Sequence, residues 1–265
     1  MIYIKKLSAN EKIKMEAAHI LTEDKKIMLP YVLVGKYCIM PMAKAVVAQR
    51  RADPEKIADM LQEFYSRTVS IYSEGIYSFA RQGWTRNSPD MPFYRYIKQE
   101  LDSLYSHTVV KPEYARLEEI SRRMWEKGYE EYKDTFFWSY NYLHGDLHTG
   151  NIVNFLGEYR LIDWENLRSG PKEIELAFYM CWDYFLYDDH EKNLQSLMNE
   201  VNIFETKGLI NSGERDRILY LVIPMWMVLI ILYLNNGNLM FEDKRKKSCE
   251  QLIPLYKSMI FDKWS

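Results

Sequence analysis

Residues 143–165, LHGDLHTGNIVNFLGEYRLIDWE, constrain the fold of this chain more than any other stretch. Two apolar runs, NIVNFL and EYRLI, meet at Gly157, the pattern of two short strands joined by a tight turn. The loop entering this hairpin carries His144, Asp146, His148 and Asn151 around Gly145 and Gly150, and the second strand ends in Asp163. Glycine permits backbone geometries that other residues resist, and loops on a rigid scaffold are where reactive groups concentrate. Strand pairing would return Asp163 to the side of the loop holding Asp146 and Asn151.

Two carboxylates and an amide oxygen are hard donors, suited to Mg²⁺ rather than to a soft metal. The same loop also reads His144-x-Asp146-x-His148, a possible transition-metal set. The other histidines, His19, His107 and His190, offer no matching spacing to complete it. Phosphoryl transfer needs a carboxylate for the attacking hydroxyl's proton and oxygen ligands for cations that bridge nucleotide phosphates. A protein-kinase catalytic loop reads H-R-D-x-x-x-x-N and is followed by a metal-binding Asp. Here His144-Gly145-Asp146 and Asn151 keep that spacing, with Gly in place of Arg.

Around this segment the chain changes character near residue 45. IYIKKL and YVLVGKYCIMPM are strand-like, with a hairpin turn at Gly35-Lys36, and ANEKIKMEAAHILTE between them has helical spacing. Beyond residue 45 helices dominate. Asp53-Pro54 is a helix start, with Ile57, Leu61, Phe64, Thr68 and Ile71 on one face. Pro112 opens another helix through Leu117, Ile120 and Met124, and further helices are expected near 190–207, 213–235 and 243–260. LYLVIPMWMVLIILYL, residues 219–234, is apolar throughout. It contains Pro224 and falls short of the ~20 residues that span a bilayer, which predicts a buried core helix and no membrane segment. A net charge of −2 gives no basic field for nucleic acid. Three widely spaced cysteines and an N-terminus without an apolar leader point to a reduced, cytoplasmic protein. Oligomeric state has no signature in the sequence.

HGDLHTGNIV followed by LIDWENLRSGPKEIELA resembles the aminoglycoside phosphotransferase/choline kinase-like family of small-molecule kinases. That resemblance implies an α+β, protein-kinase-like two-lobe fold. Residues 1–44 would form a reduced N-terminal β lobe, and residues 45–265 a large helical lobe with the embedded hairpin and the acceptor site. It implies Asp146 as catalytic base, Asn151 and Asp163 as metal ligands, and His144 and His148 as loop-shaping residues. Glu175 falls where the family more often has Asp, at a structural position. YIKK resembles the family's third strand, so Lys5 would steady the nucleotide's phosphates, with Glu16 as its ion-pair partner. Met40, Pro41 and Met42 would face the base. In the family two strands and a phosphate-covering loop precede that lysine, whereas four residues precede Lys5 here. The implied activity is Mg²⁺-dependent transfer of the γ-phosphoryl group of ATP or GTP to a hydroxyl of an aminoglycoside-like or other small metabolite. The alternative is a kinase-like module that binds ligands without catalysis.

Two charged clusters remain. In WDYFLYDDHE, Trp182, Asp183 and Tyr184 with Tyr187, Asp188 and Asp189 offer an acidic, aromatic surface for a cationic acceptor, or a helix end with a solvated acidic turn. KRKK at 244–247 reads as an exposed helix face.

Overall fold

The computed structural model describes residues 2–22, 27–45, 52–68, 93–133, 141–186, 190–239 and 241–261. The chain divides into two compact units. One comprises residues 1–88, 139–175 and 206–209, and the other residues 89–138, 176–205 and 210–265.

The first unit opens with strand β1 (Ile2–Lys6), helix α1 (Ala9–Thr22), and strands β2 (Val32–Val34) and β3 (Tyr37–Pro41). The three strands form an antiparallel sheet in the order β1-β3-β2, with Lys5 opposite Cys38 and Ile4 opposite Ile39. Gly35 supplies the positive φ (+61°) of the β2–β3 turn. Strand alternation buries Cys38 and Met40 on one face, whereas Ile2, Ile4, Val32, Val34 and Tyr37 are exposed. Ser8 and Glu11 form a reciprocal cap at the start of α1: Ser8 N–H donates to Glu11 Oε2 (2.6 Å), and Glu11 N–H donates to Ser8 Oγ (3.2 Å).

Strand β4 (Lys44–Ala45) then joins the expected hairpin, β6 (Ile152–Phe155) and β7 (Glu158–Leu161), in a second sheet of order β4-β6-β7. The hairpin turn places both Leu156 (φ +56°) and Gly157 (φ +88°) in positive φ, the handedness that two-residue hairpin loops favour. Residues 27–29 dock on β7, through Leu161 N–H to Ile27 O (2.7 Å) and Leu29 N–H to Leu161 O (3.2 Å). A third, two-stranded sheet pairs β5 (Asn141–Leu143) with β8 (Arg168–Gly170), so the 144–167 loop system is closed at its base. Helix α2 (Pro54–Thr68) starts where Asp53-Pro54 predicts, with Asp53 Oδ1 accepting from Glu55 N–H (3.1 Å). Its buried face holds Ile57, Leu61 and Phe64. Ile71, expected to continue it, lies outside the described residues.

The second unit is helical: α3 (Phe93–His107), α4 (Pro112–Tyr132), most of α5 (Lys172–Tyr184), α6 (His190–Thr206), α7 (Ser212–Arg217), α8 (Ile223–Asn235) and α9 (Glu242–Phe261). The apolar segment is its core. Residues 212–235 are long and apolar enough to cross a membrane by length and composition, but 83% of the apolar window is buried inside the fold. That helix departs from the single run expected. Pro224 has no N–H for the Tyr220 carbonyl one turn back, and the helix widens into a π turn over Ile218–Val222. The Tyr256 hydroxyl donates to the displaced Leu219 O, and Tyr220 O lies against Gly128 of α4.

Candidate active site

The loop between β5 and β6 is built on two buried rings and one peptide. His144 is fully buried, its ring centroid 4.7 Å from that of Trp164, and its Nε2 lies 2.7 Å from Ile162 O. Ile162 N–H in turn donates to Asn151 O (3.0 Å). The residue preceding Asp163 is therefore fastened to both ends of the HGDLHTGN loop. Asp163 itself is left-handed (φ +65°, ψ +57°), a conformation that costs a non-glycine residue roughly 1–2 kcal/mol and clusters at functional sites.

Lys5 converges on Asp163 from the first sheet. Its Nζ lies 2.6 Å from Asp163 Oδ1, 3.3 Å from Glu165 Oε2 and 3.3 Å from Glu11 Oε1. Burial pulls the Lys5 pKa down, but the hydrogen bond and charge of Asp163, with Glu11 and Glu165, outweigh it, and the net shift is upward. Glu11 is lowered to about 2, first by the Ser8 backbone and side-chain hydrogen bonds. Glu165 is raised, first by its hydrogen bond with Glu11 and then by burial and the Asp163 charge.

On the other side of the loop, Asn151 Nδ2 donates to Asp146 O (2.8 Å) and approaches Asp146 Oδ2 (3.3 Å). His148 Nδ1 accepts from Gly150 N–H (3.0 Å), and its Nε2 lies 3.7 Å from Asp146 Oδ2. The neighbouring imidazole holds Asp146 below the usual carboxylate range, against the upward pull of burial. Both key carboxylates remain open to solvent, with side chains 36% (Asp146) and 37% (Asp163) exposed. Gly145, the residue directly before Asp146, has φ +86°, and a Cβ there would fall 1.9 Å from Asn166 O. Its N–H donates to Glu175 Oε1 (2.6 Å), whose Oε2 accepts from the Tyr65 hydroxyl (2.6 Å). Burial raises the Glu175 pKa, opposed by those hydrogen bonds and by Arg168.

A cavity of about 260 Å³ lies beside Lys5, Asp163 and Glu165. Its apolar wall includes Tyr3, Met15, Met28, Met40 and Met42, and Asp146 and Asn151 are not part of the lining. Met40 and Met42 thus border the cavity.

Three expectations need correction. Glu16 is not the partner of Lys5: it is exposed and lies 3.9 Å from Lys12, while Glu11 makes the contact. Five residues along an α-helix turn a side chain to another face, and the first turn of α1 is the one adjoining Lys5. The acidic aromatic surface at 182–184 is not formed either. Asp183 and Tyr184 are buried, Tyr184 donates to Glu200 Oε2 (2.8 Å), and the Arg245 guanidinium lies 4.1 Å from the Trp182 ring centroid. Arg245 is itself fully buried, so KRKK is not wholly a solvated face. Tyr187, Asp188 and Asp189 lie outside the described residues.

Sequence reasoning passed over Glu11, Glu165 and Tyr65. Ser8-x-x-Glu11 is a capping-box signature that would have placed Glu11 in the first turn. The His-x-Asp-x-His alternative is not assembled, since His144 is committed to Ile162 and Trp164. Among the described residues no three His, Cys, Asp or Glu side chains come together to hold a metal.

No protein-family model and no curated protein matches the chain. Solved structures do match. An amicoumacin kinase in complex with AMP-PNP, Ca²⁺ and Ami superposes with a TM-score of 0.58 at 11% identity, over 99% of this chain and 81% of that one. An ethanolamine kinase from Plasmodium vivax gives 0.59 at 14% identity, over 98% and 78% of the two chains. A spectinomycin phosphotransferase in complex with ADP and spectinomycin gives 0.54 at 16% identity, over 98% and 82%. This chain therefore has the α+β, protein-kinase-like fold of the aminoglycoside phosphotransferases and the choline and ethanolamine kinases.

Proposed function

We propose that this protein is a small-molecule phosphotransferase that moves the γ-phosphoryl group of ATP or GTP to a hydroxyl of an amino- or hydroxyl-bearing metabolite in the cytoplasm. The observation that carries the reading is the convergence of Lys5 and Asp163 (2.6 Å) beside a loop in which Asn151 braces Asp146, with Ile162 tied to both ends of that loop. Similarity to folds solved with AMP-PNP and Ca²⁺, or with ADP and spectinomycin, supports it.

The donor set fits a hard divalent cation. Asn151 commits its amide nitrogen to Asp146, which leaves Oδ1 as its free oxygen donor, and Asp163 supplies a solvent-open carboxylate. These two residues would hold Mg²⁺, which when bound neutralises charge on the phosphate oxygens. Lys5 would leave Asp163 to steady those phosphates. Asp146, ionised at neutral pH, would orient the acceptor hydroxyl and take its proton late in the transfer. The apolar cavity wall suits a purine. Only a short turn and β8 follow Asp163, which leaves little room for the long activation segment that protein acceptors require.

The test is ligand-dependent melting with ATP or GTP, with and without Mg²⁺. At a hundredfold excess over its dissociation constant a ligand adds ~2.7 kcal/mol to the folded state. Asp163→Asn is expected to lose the Mg²⁺-dependent part, and Asp146→Asn to keep nucleotide binding but lose turnover. Absence of both stabilisation and Mg²⁺-dependent hydrolysis in the wild type overturns the proposal. Stabilisation without turnover would favour the non-catalytic binding module.

A further inference from the structure

The geometry points to Arg168 as a positioning residue for Asp146, acting through the peptide that joins Gly145 to it. This inference rests on the phosphotransferase reading for its catalytic consequence, but its structural part stands alone. Arg168 enters from β8, paired across the small sheet with Leu143, the last residue of β5. From there its guanidinium Nη2 donates to Gly145 O at 2.7 Å. On the preceding peptide, Gly145 N–H donates to Glu175 Oε1 at 2.6 Å. The two peptide planes flanking Gly145 are thus fixed by side chains of opposite charge, and the plane carrying the Asp146 nitrogen is the one Arg168 holds.

Gly145 needs such a clamp. At φ +86° a glycine has wide backbone freedom, and rotation of its ψ would swing Asp146 away from Asn151. The Asn166 carbonyl closes off the space where a Cβ would lie, so the backbone passes here with no side chain of its own to anchor it. Charge balance also favours the arrangement. Glu175 is buried, and a buried carboxylate is tolerated when a cation and hydrogen-bond donors surround it. Arg168 serves both ends: it faces Glu175 and Asp146 electrostatically and bonds the carbonyl between them. Planar multi-donor geometry suits an arginine to this role better than a lysine.

The experiment compares Arg168→Met, which keeps the apolar stem and removes the donors, with Arg168→Lys, which keeps one donor and the charge. Mg²⁺-dependent nucleotide hydrolysis is read as separate kcat and KM, beside hydrogen exchange of the 143–151 segment. Positioning predicts a kcat loss on the order of ten- to a hundredfold in Arg168→Met, from misplacement by about an ångström. The nucleotide KM should stay within twofold, and Arg168→Lys should recover part of kcat. Exchange at 143–151 should rise in Arg168→Met while the 152–161 hairpin stays protected. Unchanged kcat, or a rise in KM with constant kcat, overturns the inference. If the wild type shows no turnover, the phosphotransferase reading fails separately. The exchange result then decides on Arg168 alone: unchanged protection at 143–151 refutes the clamp.

Discussion

The buried His144 ring makes the stability of the site depend on pH in a calculable way. Burial pulls its imidazole from the ordinary 6.5 to about 4, while the hydrogen bond to Ile162 O and the charges of Asp146 and Asp163 pull the other way. With Nε2–H donating to Ile162 O, Nδ1 has no hydrogen-bond partner among the described residues, so a proton added there would be a buried, unaccepted donor. The folded-state pKa is depressed for a base, so the neutral ring favours folding. That stability is fully present above the unfolded value of 6.5 and is lost as pH falls through the interval down to about 4. At 1.36 kcal/mol per pH unit the interval corresponds to roughly 3 kcal/mol. His144→Gln places an amide nitrogen near the Nε2 position and does not titrate. Urea denaturation followed by circular dichroism from pH 7.5 to 4 should show the wild type losing about 3 kcal/mol more than His144→Gln, with the difference confined to that interval. Carboxylates such as Glu11 contribute equally to both proteins and cancel. Parallel stability profiles for the two proteins would refute the reasoning.

Three further outcomes follow from close contacts. Gly145→Ala would set a Cβ 1.9 Å from Asn166 O in a left-handed backbone, and thermal melting should show a loss of about 3 kcal/mol or more. Glu175→Ala strips partners from the Tyr65 hydroxyl and Gly145 N–H. Denaturation should record a loss of about 2–5 kcal/mol, with Glu175→Asp falling between it and the wild type. Gly128→Ala would meet Tyr220 O at 2.0 Å, and calorimetry should show the helical unit destabilised by about 2–4 kcal/mol.

What could be read beforehand was local. The β6–β7 hairpin was legible because alternation and Gly157 are adjacent in the chain, and the HGDLHTGN loop because its chemistry is packed into eight consecutive residues. Lys5 reached its place because a strand fixes which face each side chain takes. Glu11 against Glu16 turned on which side of α1 adjoins Lys5, a packing fact, although the Ser8 cap held a clue. Trp182 was misread for a stronger reason. The guanidinium covering it comes from Arg245, on another helix, and no local pattern announces such a neighbour. The π turn was half visible in Pro224, but the room it needs depends on Gly128, far away in sequence.

Trp164 follows Asp163 directly and is fully buried, with His144 on one side at 4.7 Å and Phe64 at 5.4 Å. The chain therefore carries its own optical probe one residue from the carboxylate that would meet a cation. Any ligand that draws Asp163 outward must tug on that stack. Titrating nucleotide while watching red-edge fluorescence, with Trp164→Phe as the blank, would report occupancy without labels and before any acceptor is known.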